Sequence, residues 1–378
     1  MSKRPSQVDM LEHSKAKVDL LKLYLTRYLN ILSLAPFFST IRLYDLFCGE
    51  GRYPNGGKGS PLVILDAIKS CLKVNERSQN PSRYTFHFND VDQLKVEKVR
   101  IAVEEEQYGF PAGLVNVTSS TQSYSQASGQ VVVEIAKSPN TRAFVFIDPY
   151  GYKDVTVADV RTLLDTGKAE VLLFLPISHM YRFSDSGTPD PLDRWLTDLV
   201  PDSERPFRNE LDFVAKFKAG FERILGSGTY VEPFTIKKDA GALYALFFFT
   251  RNELGMEKML EVKWHIDKDN GQGWKRQKVH STQITMEFEP RRNEYAEALW
   301  EYISAGVRSN SDIYLFTLQH RHLPRHTNEV LEDLQEDGAI VVEDMNGQPA
   351  RKKSFYVSYP HHKGNKADSK RVVIRKAK

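Results

Sequence analysis

Three acidic residues close apolar runs within the first 150 positions, and each is placed to do chemistry. Ala143-Phe144-Val145-Phe146-Ile147 ends on Asp148-Pro149-Tyr150-Gly151-Tyr152. An exocyclic amine on a nucleobase is a poor nucleophile, because its lone pair is delocalised into the ring. A carboxylate and a carbonyl that accept its two N–H bonds would favour a pyramidal, reactive nitrogen during group transfer. Asp148 supplies the carboxylate, the carbonyl of Asp148 or Pro149 the second acceptor, and Tyr150 or Tyr152 a face on which an extruded base could stack. Asp45-Leu46-Phe47-Cys48-Gly49-Glu50-Gly51 follows another apolar run, and its glycines would let the backbone approach a ligand closely. The helix expected from Ser60-Pro61, with Ser60 as its cap, would aim free N–H groups at the same place. Asn89-Asp90-Val91-Asp92 closes a third run. Asp90 is suited to accept a pair of ribose hydroxyls, and Asp92 to cap the helix that follows.

Elements must hold these residues at one edge. An amphipathic helix is expected over 15–34, with Val18, Leu21, Leu25, Tyr28, Leu29 and Leu32 on its apolar side and Lys17, Lys22 and Arg27 elsewhere around the turn. Lys17 could reach the carboxylate of a bound cofactor, although a helix lysine whose stem lies along the surface with its head in water is the plainer account. Strands are expected over 41–45, 84–89, 114–118, 143–148, 170–175, 230–234 and 243–250. Helices are expected between them over 61–72, 93–105, 126–136, 157–164 and 210–225. This alternation implies a mostly parallel sheet covered by helices on both faces, whose ligands bind at the carboxyl ends of the strands.

After about residue 290 the pattern changes. Helices are expected over 293–304, 311–319 and 326–337, followed by strands over 339–344 and 354–359 around an Asn346-Gly347 turn. Three short helices and a hairpin form a winged helix. The expected organisation is an N-terminal helix packed on the catalytic domain (1–40), an α/β domain (41–288), a winged helix (289–360) and a basic flexible tail (361–378), with a linker near 287–292. Charge sharpens this plan. The chain has 52 Lys+Arg against 49 Asp+Glu, yet 361–378 alone carries seven basic side chains and one acidic, Asp368. The net basicity therefore belongs to the tail. Arg351, Lys352 and Lys353 in the wing would contact phosphate, whereas the third helix holds Glu329, Glu332, Asp333, Glu336 and Asp337, which repel it. Docking to a protein is nearly as good a use for that domain.

Two isolated cysteines, Cys48 and Cys71, form neither a disulfide framework nor a metal cluster, which suits a reducing cytoplasm. The histidines lack metal-ligand spacing. Apolar runs such as 171–177 and 243–249 are too short for a bilayer.

Asp-x-Phe-x-Gly-x-Gly at a strand end resembles the first motif of Rossmann-like S-adenosylmethionine-dependent methyltransferases. A dinucleotide fingerprint would place a third glycine where this chain has Pro54. Asp-Pro-Tyr-Gly is closer to the Asp-Pro-Phe-Gly of tRNA guanine-N2 methyltransferases than to the Asp/Asn-Pro-Pro-aromatic of enzymes acting on adenine or cytosine. With His13 and Lys17 on the first helix, the order DLFCGEGRY, GSP, NDVD, FIDPYG resembles the three-Cys-motif partner family over roughly 13–250. The resemblance implies a class I methyltransferase sheet that binds S-adenosylmethionine. Asp45, Phe47, Gly49 and Gly51 carry over to the cofactor site and Asp148, Pro149 and Tyr150 to the catalytic corner. It also implies a separate partner bearing a three-cysteine motif. The residues themselves add Ser60 and Asp90 on the cofactor side, with the adenine near Val117 to Ser119. On the substrate side they add Tyr152, His179 for the base and Arg182 for a phosphate. The expectation is a methyltransferase for an exocyclic amino nitrogen of a nucleic-acid base. Its rival is a non-catalytic adapter that binds DNA or the partner protein through its winged helix.

Overall fold

The computed structural model describes residues 12–35, 37–74, 81–107, 110–237, 241–275, 291–363 and 371–377. It divides into two compact units, the first comprising residues 1–252 with 272–277, the second 253–271 with 278–378. Residues 253–271, expected within the α/β domain, fall in the second unit. The expected linker falls largely outside the described residues.

The first unit opens with α1 (Glu12–Leu34) and continues β1 (Thr40–Asp45), α2 (Ser60–Val74), β2 (Arg83–Asn89), α3 (Gln93–Gln107), β3 (Val115–Ser120), α4 (Tyr124–Lys137) and β4 (Thr141–Ile147). It proceeds through α5 (Val157–Asp165), β5 (Ala169–Leu175), α6 (Ile177–Arg182), α7 (Asp190–Leu199), α8 (Glu210–Leu225), β6 (Tyr230–Lys237) and β7 (Leu243–Thr250). The short β8 (Gly273–Lys275) completes its sheet, whose order is β3-β2-β1-β4-β5-β7-β6-β8. The first five strands in that order are parallel, while β7 runs antiparallel to both β5 and β6. From β1 the chain winds outward to β2 and β3, then returns to lay β4 on the other side of β1. That reversal is the switch point at which neighbouring strand ends separate and leave a crevice.

Buried apolar strands such as Leu43, Tyr44, Phe144 to Ile147 and Val171 to Leu173 fill the core. Helix α1 packs on this sheet through Leu20, Leu21, Tyr24, Leu25 and Leu29, all buried. Tyr24 packs on Phe144 and Phe248 with ring centroids 5.7 and 4.7 Å away, and its hydroxyl donates to Glu170 within the sheet. Thr250 donates to the same carboxylate at 2.8 Å. Burial pushes the Glu170 carboxyl up to about 7, partly offset by those two donors. Losing the tyrosine hydroxyl would strand a buried acceptor at a cost of about 1–3 kcal/mol. This clamp fixes α1, and with it the residues one and two turns earlier.

The second unit contains α9 (Glu253–Ile266), α10 (Arg291–Ser304), β9 (Arg308–Ser309), α11 (Asn310–Gln319), α12 (Pro324–Glu336), β10 (Ile340–Asp344), α13 (Tyr359–Lys363) and β11 (Val372–Lys376). The three helices α10, α11 and α12 lie where expected, but the hairpin does not. The partner of β10 is β11, paired antiparallel with Ile340 opposite Lys376, and β11 also pairs with β9. The stretch 354–359 is no strand. Lys353 and Tyr356 adopt positive φ of 62° and 53°, which extended backbone cannot contain, although Phe355 and Val357 are buried.

Over its described residues 371–377 the tail expected to be flexible is thus corrected, and residues 364–370 lie outside the described residues. Val372 and Ile374 alternate into the core, Arg375 binds Glu343 at 2.7 Å, and Lys376 lies over the Trp300 ring. Helix α9, not foreseen in the sequence, belongs to this unit, where Trp264 Nε1 donates to the Arg321 carbonyl at 3.0 Å. Among the described residues no helix is long and apolar enough to cross a membrane.

Candidate active site

At the switch point lies a cleft of about 1190 Å³, walled by α1, the loop after β1, the start of α3, the loop after β4, and α6. Phe47, Gly49, Gly51 and Ser60 line one part of it. Asp148, Pro149, Tyr150, Tyr152 and Arg182 line another. Asp45 and Asp90 lie behind this lining. Arg351, Lys352 and Lys353 belong to the second unit.

Asp45 ends β1, fully buried, with the Phe47 N–H 3.4 Å from Oδ1. Its Oδ2 is buried without a protein partner. Burial, aided by the nearby Asp148 charge and opposed by Ser60, the Phe47 N–H and Lys17, pushes the Asp45 carboxyl up to about 7. A buried acceptor left open is costly unless a ligand donates to it. Gly49 has φ +60°, and a Cβ there would meet nothing within 4 Å, so the loop leaves space above its backbone. Gly59 serves differently. A Cβ on it would lie 2.9 Å from the Gly51 carbonyl, which accepts the Gly59 N–H at 2.7 Å. The Gly59 carbonyl takes the first helical bond of α2, from Val63, so the helix starts one residue earlier than a Ser60 cap implies.

Asp90 is only 4% exposed. Its Oδ2 accepts the Gly49 N–H at 3.2 Å and its Oδ1 the Asp92 N–H at 3.0 Å, with Lys95 3.7 Å away. It therefore braces the glycine loop. Asp92 faces the cleft and also accepts the Leu94 N–H at 3.0 Å, the capping role expected of it. The stretch expected beside the adenine, Val117 to Ser119, is absent from the lining. Thr118 and Ser120 instead bond the His87 ring. Phe47 stacks on Tyr124 with centroids 5.2 Å apart.

At the end of β4, Tyr150 is 69% exposed, with the Lys95 ammonium 4.4 Å from its ring centroid and 3.2 Å from its hydroxyl. Tyr152 is 7% exposed, and its carbonyl accepts the Trp195 indole N–H at 3.0 Å. Of the two aromatic rings considered for stacking, Tyr150 alone offers an open face. Arg182 and Lys153 are exposed at the cleft without an acidic partner among the described residues. His179 is exposed nearby, packed edgewise on Phe183 and tilted against Tyr152.

The residue that sequence reasoning misplaced is Lys17. It is not a solvated head: its side chain is 13% exposed, it lines the cleft, and its ammonium is ion-paired with Asp148 Oδ2. It also lies 4.7 Å from the Phe174 ring centroid. Burial alone would lower its proton affinity, but Asp148, helped by Tyr53 and Asp45, holds Lys17 above its ordinary value and so protonated. The missed signal was register. Positions 14, 17, 21, 24 and 28 form one helical stripe, and buried Ser14, Leu21, Tyr24 and Tyr28 carry Lys17 inward with them.

The strand order, the glycine loop after β1 and the acid after β4 define a Rossmann-like fold of the S-adenosylmethionine methyltransferase type, joined to a separate winged-helix domain. Residues 275–347 match the family described as the GMT-like wHTH domain. No curated protein matches the chain significantly. Solved structures similar to it include an O-methyltransferase from Bacillus cereus in complex with SAH, at 11% identity over 61% of this chain and 80% of that one, with TM-score 0.34. The O-methyltransferase TomG from Streptomyces achromogenes, in complex with SAM, is 12% identical over 61% and 79%, with TM-score 0.32. Spermidine synthase from Thermotoga maritima is 12% identical over 60% of each chain, with TM-score 0.28.

Proposed function

We propose that this chain is an S-adenosylmethionine-dependent methyltransferase that modifies an exocyclic amino nitrogen of a nucleic-acid base and works with a three-Cys-motif partner. The observation that carries this reading is that the glycine loop after β1 and Asp148-Pro149-Tyr150 after β4 line one cleft. The residues fit the cofactor: Asp45 has a buried, unpartnered oxygen, and Gly49 leaves open space over the loop. Bound there, S-adenosylmethionine would supply a methyl group activated by a positively charged sulfur. Asp45, Gly49, Gly51 and Ser60 would hold it, with Asp90 keeping the loop in place.

On the acceptor side, Asp148 Oδ1 is the oxygen that Lys17 leaves open, and it accepts an N–H of the amine as positive charge grows on nitrogen. The carbonyl of Asp148 or Pro149 accepts the other. Tyr150 stacks on the extruded base, and Arg182 meets a phosphate. Direct transfer needs no enzyme nucleophile, and burial pushes the Cys48 thiol up, away from the reactive thiolate.

Calorimetry with S-adenosylmethionine and S-adenosylhomocysteine, then transfer of labelled methyl to DNA, tRNA and total RNA with and without the partner, tests this. Absence of cofactor binding would overturn it. A second reading, the adapter, draws on the winged helix: Lys353 in the wing is tied to Glu332 and Glu336 of α12, each at 3.0 Å, which leaves less free charge for phosphate. Cofactor binding without any methyl acceptor would favour it.

A further inference from the structure

Lys17 stands on the carboxylate that an acceptor amine must reach, and its charge bears on which amines fit. An aspartate beside an aromatic ring is by itself a good receptor for an aliphatic ammonium, through its charge and the face of the ring. Here Lys17 already fills that receptor, with its ammonium on Asp148 Oδ2 and close to Phe174. Removing it would cost an ion pair and a ring contact, and the Tyr24–Glu170 clamp holds the helix that carries it. Asp148 Oδ1 has no partner among the described residues, so one hydrogen-bond acceptor remains without net negative charge.

The other charged groups around the cleft add no anion to replace it. Glu50 is bound to Lys98 at 3.0 Å, and Asp92 caps α3. Asp45 lies behind the lining, while Lys153 and Arg182 add positive charge at the rim.

We propose that Lys17 is a specificity-determining residue that neutralises Asp148 within the cleft, so that the site rejects aliphatic ammonium groups and admits uncharged amines such as the amino group of a base. The proposal rests on the reading of Asp148 as the acceptor-facing carboxylate. The discrimination is a repulsive one, built by placing a like charge where the wrong ligand would sit. A neutral amine needs only a hydrogen bond to Oδ1, whereas an ammonium must approach a second ammonium at close range.

The test uses the full chain saturated with S-adenosylhomocysteine and titrated, by calorimetry and ligand-observed NMR, with butylamine, cytidine and guanosine as separate probes. The wild type should bind a nucleoside but not butylamine. Lys17→Met should gain butylamine binding by at least about tenfold, as expected when a close like charge is removed, and Lys17→Arg should still exclude it. Butylamine binding to the wild type as tightly as to Lys17→Met overturns the proposal. So does a folded Lys17→Met that gains nothing, folding being checked by circular dichroism. Should Lys17→Met not fold, Lys17→Gln makes the same comparison, and the wild-type titration is decisive by itself. If neither nucleoside binds while the butylamine pattern holds, the base-directed function falls and the role of Lys17 stands.

Discussion

Asp45 and Asp148 close neighbouring parallel strands at the same edge of the sheet, yet they are electrostatic opposites. Asp45 sits behind the lining, fully buried, with one oxygen unpartnered and a carboxyl pushed up to about 7. Asp148 opens onto the cleft and is held by a protonated lysine delivered from 131 residues away. The difference lies in what each strand end meets. The glycine loop folds over Asp45 and leaves space for a ligand, whereas α1 brings a cation to Asp148. One carboxylate is left wanting a donor, and the other already has one and offers its second oxygen.

The strongest way to break this contrast is to neutralise each acid in turn. Asp148→Asn should lower methyl transfer by about 10²–10³-fold, the usual effect of removing one preorganised polar contact from a transition state. It should leave S-adenosylhomocysteine affinity unchanged by calorimetry. Asp45→Asn should show the reverse emphasis, with affinity for the cofactor product reduced first. If both variants lose affinity equally, the division of labour between the strand ends is wrong.

Asp45 also makes a prediction in pH. Its folded carboxyl holds a proton more tightly than the unfolded chain does, so stability from this group is full below about pH 4 and is lost as pH rises through about 7. Asp45→Asn should therefore melt a few degrees higher than the wild type at pH 8, with the difference vanishing near pH 4 in thermal unfolding. Ligand binding runs in the opposite direction, because a donor on the cofactor that reaches the open Oδ2 favours the ionised carboxylate. Wild-type affinity should climb about tenfold per pH unit up to about 7 and then level off, and Asp45→Asn should flatten that profile. A wild-type affinity independent of pH between 5.5 and 8 would remove Asp45 from the site.

Much of this edge was readable in the residues. Strand ends, the glycine loop and the acid after β4 announce themselves because parallel strands are short apolar runs and their punctuation is local. The pairing of Lys17 with Asp148 was not, since it depends on which side of a helix a single lysine faces, a matter of about 100° per residue. Asp90 shows the same limit. Its place after β2 was plain, but its hydrogen bond to the Gly49 backbone depends on how two loops cross. In the second unit the alternation at 354–359 is real, with Phe355 and Val357 buried, yet a left-handed turn at Tyr356 spends it on loop packing. The basic composition of the last residues suggested a free arm and concealed the apolar alternation of Val372 and Ile374 that makes β11 a central strand.

The loop over Asp45 offers a smaller test than the acid itself. Gly49→Ala would place a methyl group in the open space above the loop and hold a side chain at φ +60°, which costs roughly 1–2 kcal/mol. Cofactor-product affinity should fall about tenfold with little change in fold. Gly59→Ala, whose Cβ would strike the Gly51 carbonyl, should instead lower the melting temperature.

On the Asp148 side the smallest effect belongs to the neighbouring aromatic pair. Tyr150 is exposed, and its contacts to Lys95 lie at the surface, so Tyr150→Ala should leave the melting temperature nearly unchanged. Stacking of one base is worth about 1–3 kcal/mol, so weaker acceptor binding by about tenfold, read as a rise in KM for nucleic acid at constant cofactor affinity, is the expected loss. Tyr150→Phe, which keeps the ring and drops only the hydroxyl that Lys95 reaches, should restore it. Tyr152 is the contrasting neighbour: its buried ring packs near His179 beneath the same loop, so Tyr152→Ala should destabilise the fold before it touches KM. A Tyr150→Ala variant with unaltered KM would mean that the open face at the end of β4 is not where the acceptor stacks.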